Sequence, residues 1–140
     1  MRERYLYVEN NVGRRFTKAF NLFHENHGWD AVFQHDVHPG MQRPQKGDVW
    51  WIEDVSKRGL ALLTCDLAIV STPQERRALQ ENDGRLVGFA NAQYDGWQQL
   101  RAITTHWDQI EPELVRGGGP VVIKVYAGPT PPVVDRLESV

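Results

Sequence analysis

The sequence contains a single cysteine, Cys65, so no disulfide can form within the chain. The paired cysteines that are typical of proteins from oxidising compartments are therefore missing. The sequence also lacks an apolar leader segment near its start and an apolar run long enough to span a membrane. These absences predict a cytoplasmic protein without a membrane partner, in which Cys65 is a buried and inert thiol.

An excess of charge of one sign is also missing, because the formal net charge is only -2 over 140 residues. Such a protein can bind nucleic acid only through a local basic patch. Apolar residues make up 41% of the chain and charged residues 24%, which is typical of a soluble globular protein. We therefore expect one domain with one core, at residues 1–127, followed by a Pro-containing C-terminal tail at 128–140.

Strand and helix patterns alternate along the chain. Apolar runs predict five strands, at residues 4–8, 29–34, 60–64, 85–90 and 121–126. Helical spacing and capping signals predict helices between them, except that 35–47 should be irregular because it holds two prolines and two glycines. This order predicts an α/β fold with a mostly parallel sheet of four or five strands, flanked by helices on both faces.

Two helix starts carry specific signals. Asp48 is placed to cap the helix that precedes the third strand. Thr72, Pro73 and Glu75 combine a cap residue, a proline at the first helical position and an acid three residues after the cap. This pattern predicts a capping box at Thr72 and Glu75.

The tryptophans are expected to serve packing. Trp51, Trp97 and Trp107 occur at helical spacing, which favours core or dimer packing over the stacking of bases. Trp50 is the exception, because two adjacent tryptophans cannot both occupy the centre of one inward stripe. If Trp50 is exposed, it could stack on a base or bury itself in a partner.

Three carboxylates are expected to meet at one edge of the sheet. Glu9 ends the first strand, Asp66 follows the third strand, and Asp48 opens the helix before it. The carboxyl ends of parallel strands share one edge, where open α/β folds place their ligands. Carboxylates without cationic partners repel one another, and a divalent cation is the usual remedy. Each acid alone is explained by a strand end, a helix cap or a turn, but the ordered set favours a metal site.

The ordered segments resemble the compact PIN-like nucleases of VapC-type toxin–antitoxin systems, and the resemblance is carried by residues 6–16, 48–51, 58–66, 73–79 and 120–125. In that family an acid ends the first strand, a second acid precedes the helix leading into a central strand, and Thr-x-Asp ends that strand. Glu9, Asp48 and Asp66 match these three positions. The resemblance implies a three-layer PIN-like domain that hydrolyses RNA phosphodiester bonds as the toxin of a type II toxin–antitoxin system.

The resemblance also implies a cofactor and partners. Glu9, Asp48 and Asp66 would be the catalytic residues and would bind Mg²⁺, with Mn²⁺ as a substitute. Mg²⁺ keeps several of its waters and can orient one of them against a phosphodiester. The implied partners are an RNA substrate and a cognate antitoxin protein, and a homodimer is also allowed. Candidates for outer ligands are Asn11, Asn91 and Asp95.

Candidate RNA-binding residues follow the first strand. Arg14, Arg15 and Lys18 begin the next helix and could hold RNA phosphates, with a solvated helix face as the alternative. His35 could reach substrate from the long loop. His35 and His38 have a spacing seen in zinc ligands, but no cysteine or third histidine accompanies them, so surface histidines are expected.

Two departures from the family pattern leave a second function open. The first acid of that family is usually Asp, whereas Glu9 carries one more methylene. The additional acid that longer PIN domains place on an intervening helix has no clear counterpart. The alternative is therefore a catalytically silent PIN-like module that binds RNA or a partner protein. A receiver-like signalling domain is less consistent with the sequence, because Lys124 lies in the middle of a late strand.

Overall fold

A computed structural model describes residues 4–39, 48–116 and 119–138 of the chain. Within these ranges six strands form one sheet, in the order β2-β1-β3-β4-β5-β6. The strands are β1 (Tyr5–Val8), β2 (Asp30–Phe33), β3 (Ala61–Thr64), β4 (Arg85–Phe89), β5 (Val121–Val125) and β6 (Val133–Arg136). Neighbouring strands are parallel except β6, which is antiparallel to β5. The mostly parallel α/β sheet predicted from the sequence is confirmed.

Helices lie on both faces of this sheet. They are α1 (Arg14–Asn21), α2 (His24–His27), α3 (Gln34–Val37), α4 (Val49–Lys57), α5 (Ala68–Ser71), α6 (Pro73–Glu81) and α7 (Gly96–Val115). Buried residues of α1 and α7 pack against one face, and those of α4, α5 and α6 pack against the other. No helix of the described ranges combines the length and the hydropathy that a membrane span requires.

Side-chain alternation along the central strands separates two hydrophobic cores. Leu6 and Val8 of β1 pack with α1 and α7, whereas Tyr7 packs with α4 and α6. In β3, Leu63 joins the first core and Leu62 joins the second. Because successive side chains of a strand point to opposite faces, a residue two positions after Tyr7 or Leu62 is directed towards the α4 side.

The sixth strand lies where the sequence predicts an extended tail, in the stretch 128–140. Val133 and Val134 pair with Lys124 and Ile123 of β5, so the sheet has six strands rather than four or five. Without β6, the outer edge of β5 would present unpaired backbone groups to solvent. Two consecutive β-branched residues favour the extended conformation, although the prolines before them hide this strand in the sequence.

Two short helices are also absent from the sequence prediction. α3 occupies the start of the stretch 35–47 that is predicted to be irregular, and α5 precedes α6. Each contains four residues, and one helical turn is too short to show a periodic pattern. The remainder of that stretch, 40–47, lies outside the described residues. The three consecutive glycines 117–119 predict the end of the long helix α7, and the first two of them also lie outside the described residues.

The predicted cap at Asp48 is wrong in its detail. Asp48 precedes α4, but its side chain accepts no hydrogen bond from the helix backbone. Its φ of -100° and ψ of -8° are helical, whereas a capping residue is typically extended. Its Oδ1 instead accepts a hydrogen bond from Nε1 of Trp51 at 2.9 Å. The Asp48 carboxylate is therefore fixed by a buried indole.

The predicted capping box at α6 is also absent. No side-chain hydrogen bond caps α6 at Thr72, whose hydroxyl donates to the carbonyl oxygen of Ala68 at 2.9 Å. A capping box forms instead at α7, where Asp95 accepts from the backbone N–H of Gln98 and the Gln98 side chain accepts from the backbone N–H of Asp95. Glu75 therefore does not take part in the capping box that the sequence pattern predicts for α6.

Gly88 gives a test of how the sheet positions the segment after β3. A Cβ atom on Gly88 would lie 2.6 Å from Cγ of Leu67, the residue that follows Asp66. Gly88→Ala should therefore lower the free energy of unfolding by about 1–3 kcal/mol, because Leu67 must shift within a packed core. Urea unfolding measures the loss.

Gly96→Ala is the matched control for Gly88→Ala. No atom lies within 4 Å of a Cβ atom at Gly96, in the first turn of α7. This substitution should be neutral or stabilising by about 0.5–1 kcal/mol. Equal stability of the Gly88 variant and the wild type would contradict the close contact between β4 and Leu67.

Candidate active site

The strands β1 and β3 bring two of the predicted acids to one edge of the sheet. Glu9 directly follows β1, and its backbone N–H donates to the carbonyl oxygen of Leu63 at 3.0 Å. Asp66 lies two residues beyond the end of β3. Because β1 and β3 are parallel neighbours, Glu9 and Asp66 both leave the sheet at its carboxyl edge.

Thr64 links these two acids. Its hydroxyl donates to the Glu9 carboxylate, and the backbone N–H of Asp66 donates to the Thr64 hydroxyl at 3.1 Å. Asp66 Oδ1 accepts from the backbone N–H of Ala68 at 2.9 Å, which fixes one of its two carboxylate oxygens. The Thr-x-Asp motif therefore orients Glu9 as well as Asp66.

Asp48 and Asp66 both lie close enough to Glu9 to act on it electrostatically. The pKa of Glu9 is raised to about 7; burial is the largest cause, and the negative charges of Asp48 and Asp66 act in the same direction. Hydrogen bonds from Thr64 and Asn11 oppose the rise because they favour the charged form. Asn11, a candidate outer ligand, therefore does contact the site through Glu9.

A fourth acid, Glu75, was missed as a site residue in the sequence prediction. Burial and then the charge of Asp48 raise the pKa of Glu75, and Asp66 adds to the effect. A hydrogen bond between the Glu75 and Asp48 side chains acts in the same direction. Glu75 is in the first turn of α6. Its position in the first turn of a helix that follows a parallel strand is the signal that could have identified it.

The other two candidate outer ligands are held within their own loops. Asn91 Oδ1 accepts from the backbone N–H of Gln93 at 2.8 Å, and Asp95 caps α7. In the described part of the chain, neither side chain has a hydrogen bond to Glu9, Asp48 or Asp66. The structure thus brings Asn11 to the acids but gives Asn91 and Asp95 local roles.

The candidate RNA-binding cations differ in whether they already form an ion pair. Arg14 forms two hydrogen bonds to Asp36, at 2.9 and 2.8 Å, and its guanidinium lies 4.6 Å from the centre of the Phe33 ring. Arg15 and Lys18 are exposed and form no ion pair with any described residue. His35 is exposed beside Asp36. Arg15 and Lys18 are therefore the cations that are free to meet a phosphate.

The prediction that His38 is a surface residue is wrong. His38 is buried, its Nδ1 lies 2.7 Å from the Tyr7 hydroxyl oxygen, and its Nε2 lies 2.6 Å from Oδ2 of Asp54. Both ring nitrogens therefore have partners, which leaves neither free for zinc. This chain of contacts ties α3 and α4 to the centre of β1.

The tryptophans are only partly as predicted. Trp51 is buried and Trp107 is half-buried, as expected for packing residues. Trp50 is half-buried against the second core, with its ring edge-on to His38. Trp97 is 72% exposed, so it does not pack in the core, and dimer packing, the other predicted role, stays a prediction. It occupies the first turn of α7, where the stripe that faces the sheet begins only with Gln99 and Ala102.

The donor atoms at the carboxyl edge suit a hard cation. Among residues 4–39, 48–116 and 119–138, no three His, Cys, Asp or Glu side chains are grouped as a metal cage. The side chains that act on Glu9 nevertheless offer only carboxylate, hydroxyl and amide groups. Mg²⁺ prefers oxygen ligands and is usually held by one or two carboxylates together with several waters, so a complete protein cage is not required.

The raised pKa of Glu9 predicts that stability falls as the pH rises. Its pKa is about 7 in the folded protein against an ordinary value of 4.5, so the folded state binds more protons between these values. The free energy of unfolding should fall over this interval, by up to about 3 kcal/mol in metal-free buffer. Urea unfolding in EDTA at about pH 5 and about pH 8 measures it.

Glu9→Gln is the control, because its neutral amide cannot titrate. Its stability should change less with pH over this interval than that of the wild type, and it should be the more stable protein at about pH 8. Added Mg²⁺ should restore stability to the wild type at that pH, since a bound cation offsets the carboxylate charges. Identical pH dependence of the two proteins would contradict the buried position of Glu9.

One known protein family matches this chain. A family model described as PIN like domain matches residues 5–91, which is more than half of the chain. The match runs from β1 to just beyond β4 and includes all four acids of the carboxyl edge. No curated protein and no solved structure matches the chain. Domains of this kind are generally nucleases and typically use divalent metal ions. The chain belongs to the family of PIN-like domains.

Proposed function

We propose that this protein is a Mg²⁺-dependent endoribonuclease and the toxin half of a VapC-type toxin–antitoxin pair, acting in the cytoplasm. The observation that carries the proposal is the electrostatic influence of Asp48 and Asp66 on the buried Glu9 carboxylate at the carboxyl edge. The family match supports nuclease chemistry, and its span includes all three residues. The RNA substrate, the antitoxin and the choice of metal ion belong to the proposal.

The carboxylates of Glu9, Asp48 and Asp66 would hold the metal ion, with Mn²⁺ able to replace Mg²⁺. A bound ion of this kind supplies a water of lowered pKa and offsets the charge that develops on the phosphate. The raised pKa of Glu9 fits this role, because a nearby cation would stabilise the ionised form that burial disfavours.

Neighbouring side chains would set the orientation of the acids. Thr64 donates a hydrogen bond to the Glu9 carboxylate, and Trp51 donates one to Asp48. Asn11 adds a second hydrogen bond to Glu9. Glu75 hydrogen-bonds Asp48 and so contributes to the orientation of its carboxylate. Arg15 and Lys18 would hold phosphates of the RNA, with His35 near the same end of the sheet.

A second candidate is a catalytically silent PIN-like module that binds RNA or a protein. It is favoured by the lack of a preformed group of three ligands within the described residues. It is also favoured by Glu9, whose raised pKa keeps part of its population protonated near neutral pH. Calorimetric titration with Mn²⁺ separates the two functions, because a silent module should bind the ion weakly or not at all.

Asp66→Asn tests the nuclease proposal. The amide keeps the shape of the carboxylate but removes the charge that a cation needs, so RNA cleavage should fall by at least about 100-fold. Folding should be unchanged or slightly improved, since repulsion between carboxylates falls. Cleavage of single-stranded RNA in Mg²⁺ measures the first effect, and thermal unfolding measures the second.

Expression of the same variant in bacteria tests the toxin role. Wild-type protein should arrest growth, and Asp66→Asn should not. Asp83→Asn is the matched control, since Asp83 lies in the turn that leads into β4, at the opposite edge of the sheet. Wild-type cleavage by correctly folded Asp66→Asn protein would remove Asp66 from the mechanism.

Glu9 distinguishes an active site from a silent one. If Glu9 ligates the metal ion, Glu9→Gln should weaken cation affinity and cleavage, whereas Glu9→Asp should retain measurable cleavage because its charge is preserved. In a silent module, Glu9→Asp should instead create cleavage that the wild type lacks. Titrations of cleavage with Mg²⁺ and Mn²⁺ measure all three proteins, and equal activity of wild type and Glu9→Gln would exclude Glu9 from the site.

A further inference from the structure

A groove between α1 and α7 opens at the carboxyl edge of the sheet. Its cavity volume is about 720 Å³, within the range of pockets that bind small molecules. Phe16, Ala19 and Leu100 give it an apolar lining. Arg14 and Arg15 line it from α1, and Trp97 lines it from α7. The groove thus combines a cationic side with an exposed aromatic ring.

Trp97 has no evident structural role. It is 72% exposed, although a tryptophan is among the most costly side chains to leave in water. The start of α7 does not need it, because the capping box of Asp95 and Gln98 already satisfies the first turn. The indole is therefore available to pack against a ligand, and an aromatic face stacks favourably on any nucleobase.

The charge of the groove favours a polyanion. The carboxylate among its lining residues is that of Asp95, which is engaged by the backbone N–H of Gln98. Arg14 is already paired with Asp36, whereas Arg15 forms no ion pair in the described part of the chain. One free guanidinium therefore lies on the same groove as the exposed indole.

The groove is also connected to the acidic site. The backbone N–H groups of Val12 and Gly13, which line the groove, donate to the carbonyl oxygen of Glu9 at 2.9 and 3.4 Å. The short segment from Glu9 to Gly13 therefore forms part of both the acidic site and the groove. A strand of nucleic acid that crosses the carboxyl edge from the acids would enter this groove.

We propose that the groove between α1 and α7 is a nucleotide subsite for single-stranded RNA, in which Trp97 stacks on an unpaired base and Arg15 holds an adjacent phosphate. The subsite rests on the proposed nuclease function and adds to it a preference for unpaired RNA next to the cleaved bond. Stacking on an indole is tolerant of sequence, so the subsite selects single strands rather than a particular base.

Binding in EDTA isolates this subsite from cleavage. The probe is a fluorescent single-stranded RNA of about ten nucleotides, within the length that such grooves accept. Trp97→Ala should weaken its binding between about 5-fold and about 150-fold, and Trp97→Phe should weaken it less because a ring remains. Phe23→Ala is the matched control, since Phe23 is also exposed, at 58%, but does not line this groove.

Inorganic polyphosphate separates stacking from charge. Trp97→Ala should bind it as the wild type does, because polyphosphate has no bases. Arg15→Gln should weaken both ligands and should reduce the slope of log affinity against log salt for RNA by about 0.7. Lys57→Gln is its control, because Lys57 is an exposed cation at the far end of α4. An equal loss of RNA and polyphosphate binding in Trp97→Ala would overturn the stacking role.

Cleavage assays distinguish this proposal from the nuclease proposal. If the wild type cleaves RNA and Trp97→Ala has the same KM for RNA, the subsite is overturned and the nuclease function stays intact. Binding that depends on Trp97 without cleavage in any divalent ion would support the subsite and refute the nuclease function. If Trp97→Ala binds RNA as tightly as the wild type does, the subsite is also overturned. A protein partner is then the expected ligand of this face.

Discussion

Glu9 lies half-buried at the carboxyl edge of the sheet, where its ionisation is opposed by desolvation and by the charges of Asp48 and Asp66. Neighbouring side chains at this edge stabilise the ionised form of Glu9 only in part. Thr64 and Asn11 offset part of the cost through hydrogen bonds, yet the pKa of Glu9 remains at about 7. A site that holds a carboxylate under such conditions is prepared for a cation, and this is the physical basis of the proposed metal-dependent chemistry.

The position of the acids follows from the packing of the sheet. Tyr7 and Leu62 are fully buried against the α4 side, so Glu9 and Thr64, two residues further along their strands, continue towards that side. Trp51 belongs to the same core and holds Asp48 through its indole N–H. The hydrophobic core on this face therefore sets the positions of the acids, while the opposite face builds the groove that carries Trp97.

The central strands and the order of the acids could be predicted because both leave strong local patterns. The apolar run before Thr64 and Asp66 marks a buried strand, and the acid that follows it must reach the carboxyl edge. Glu75 could not be assigned in the same way, because Thr-x-x-Glu has two meanings. A capping box and an acid that faces a site have the same sequence, and the capping box is excluded because no side-chain hydrogen bond caps α6.

Trp97 and β6 show a second limit of the sequence. Trp97 precedes Leu100 at helical spacing, but the buried residues of α7 centre on the opposite side of the helix, so the Trp97 indole stays exposed. Val133 and Val134 follow a proline-rich stretch, and only the open edge of β5 makes them a strand. In both cases the outcome depends on which surface a neighbouring element covers, and the periodicity of the sequence does not contain that information.

Crystals of the protein soaked with Mn²⁺ at a pH above the pKa of Glu9 give the most direct test of the central claim. The proposed function predicts an anomalous peak within about 2.5 Å of carboxylate oxygens from at least two of Glu9, Asp48 and Asp66. The same soak of Asp66→Asn crystals should show this peak weakened or absent. A wild-type map without a peak at the carboxyl edge, or with Mn²⁺ bound only elsewhere, would contradict the account.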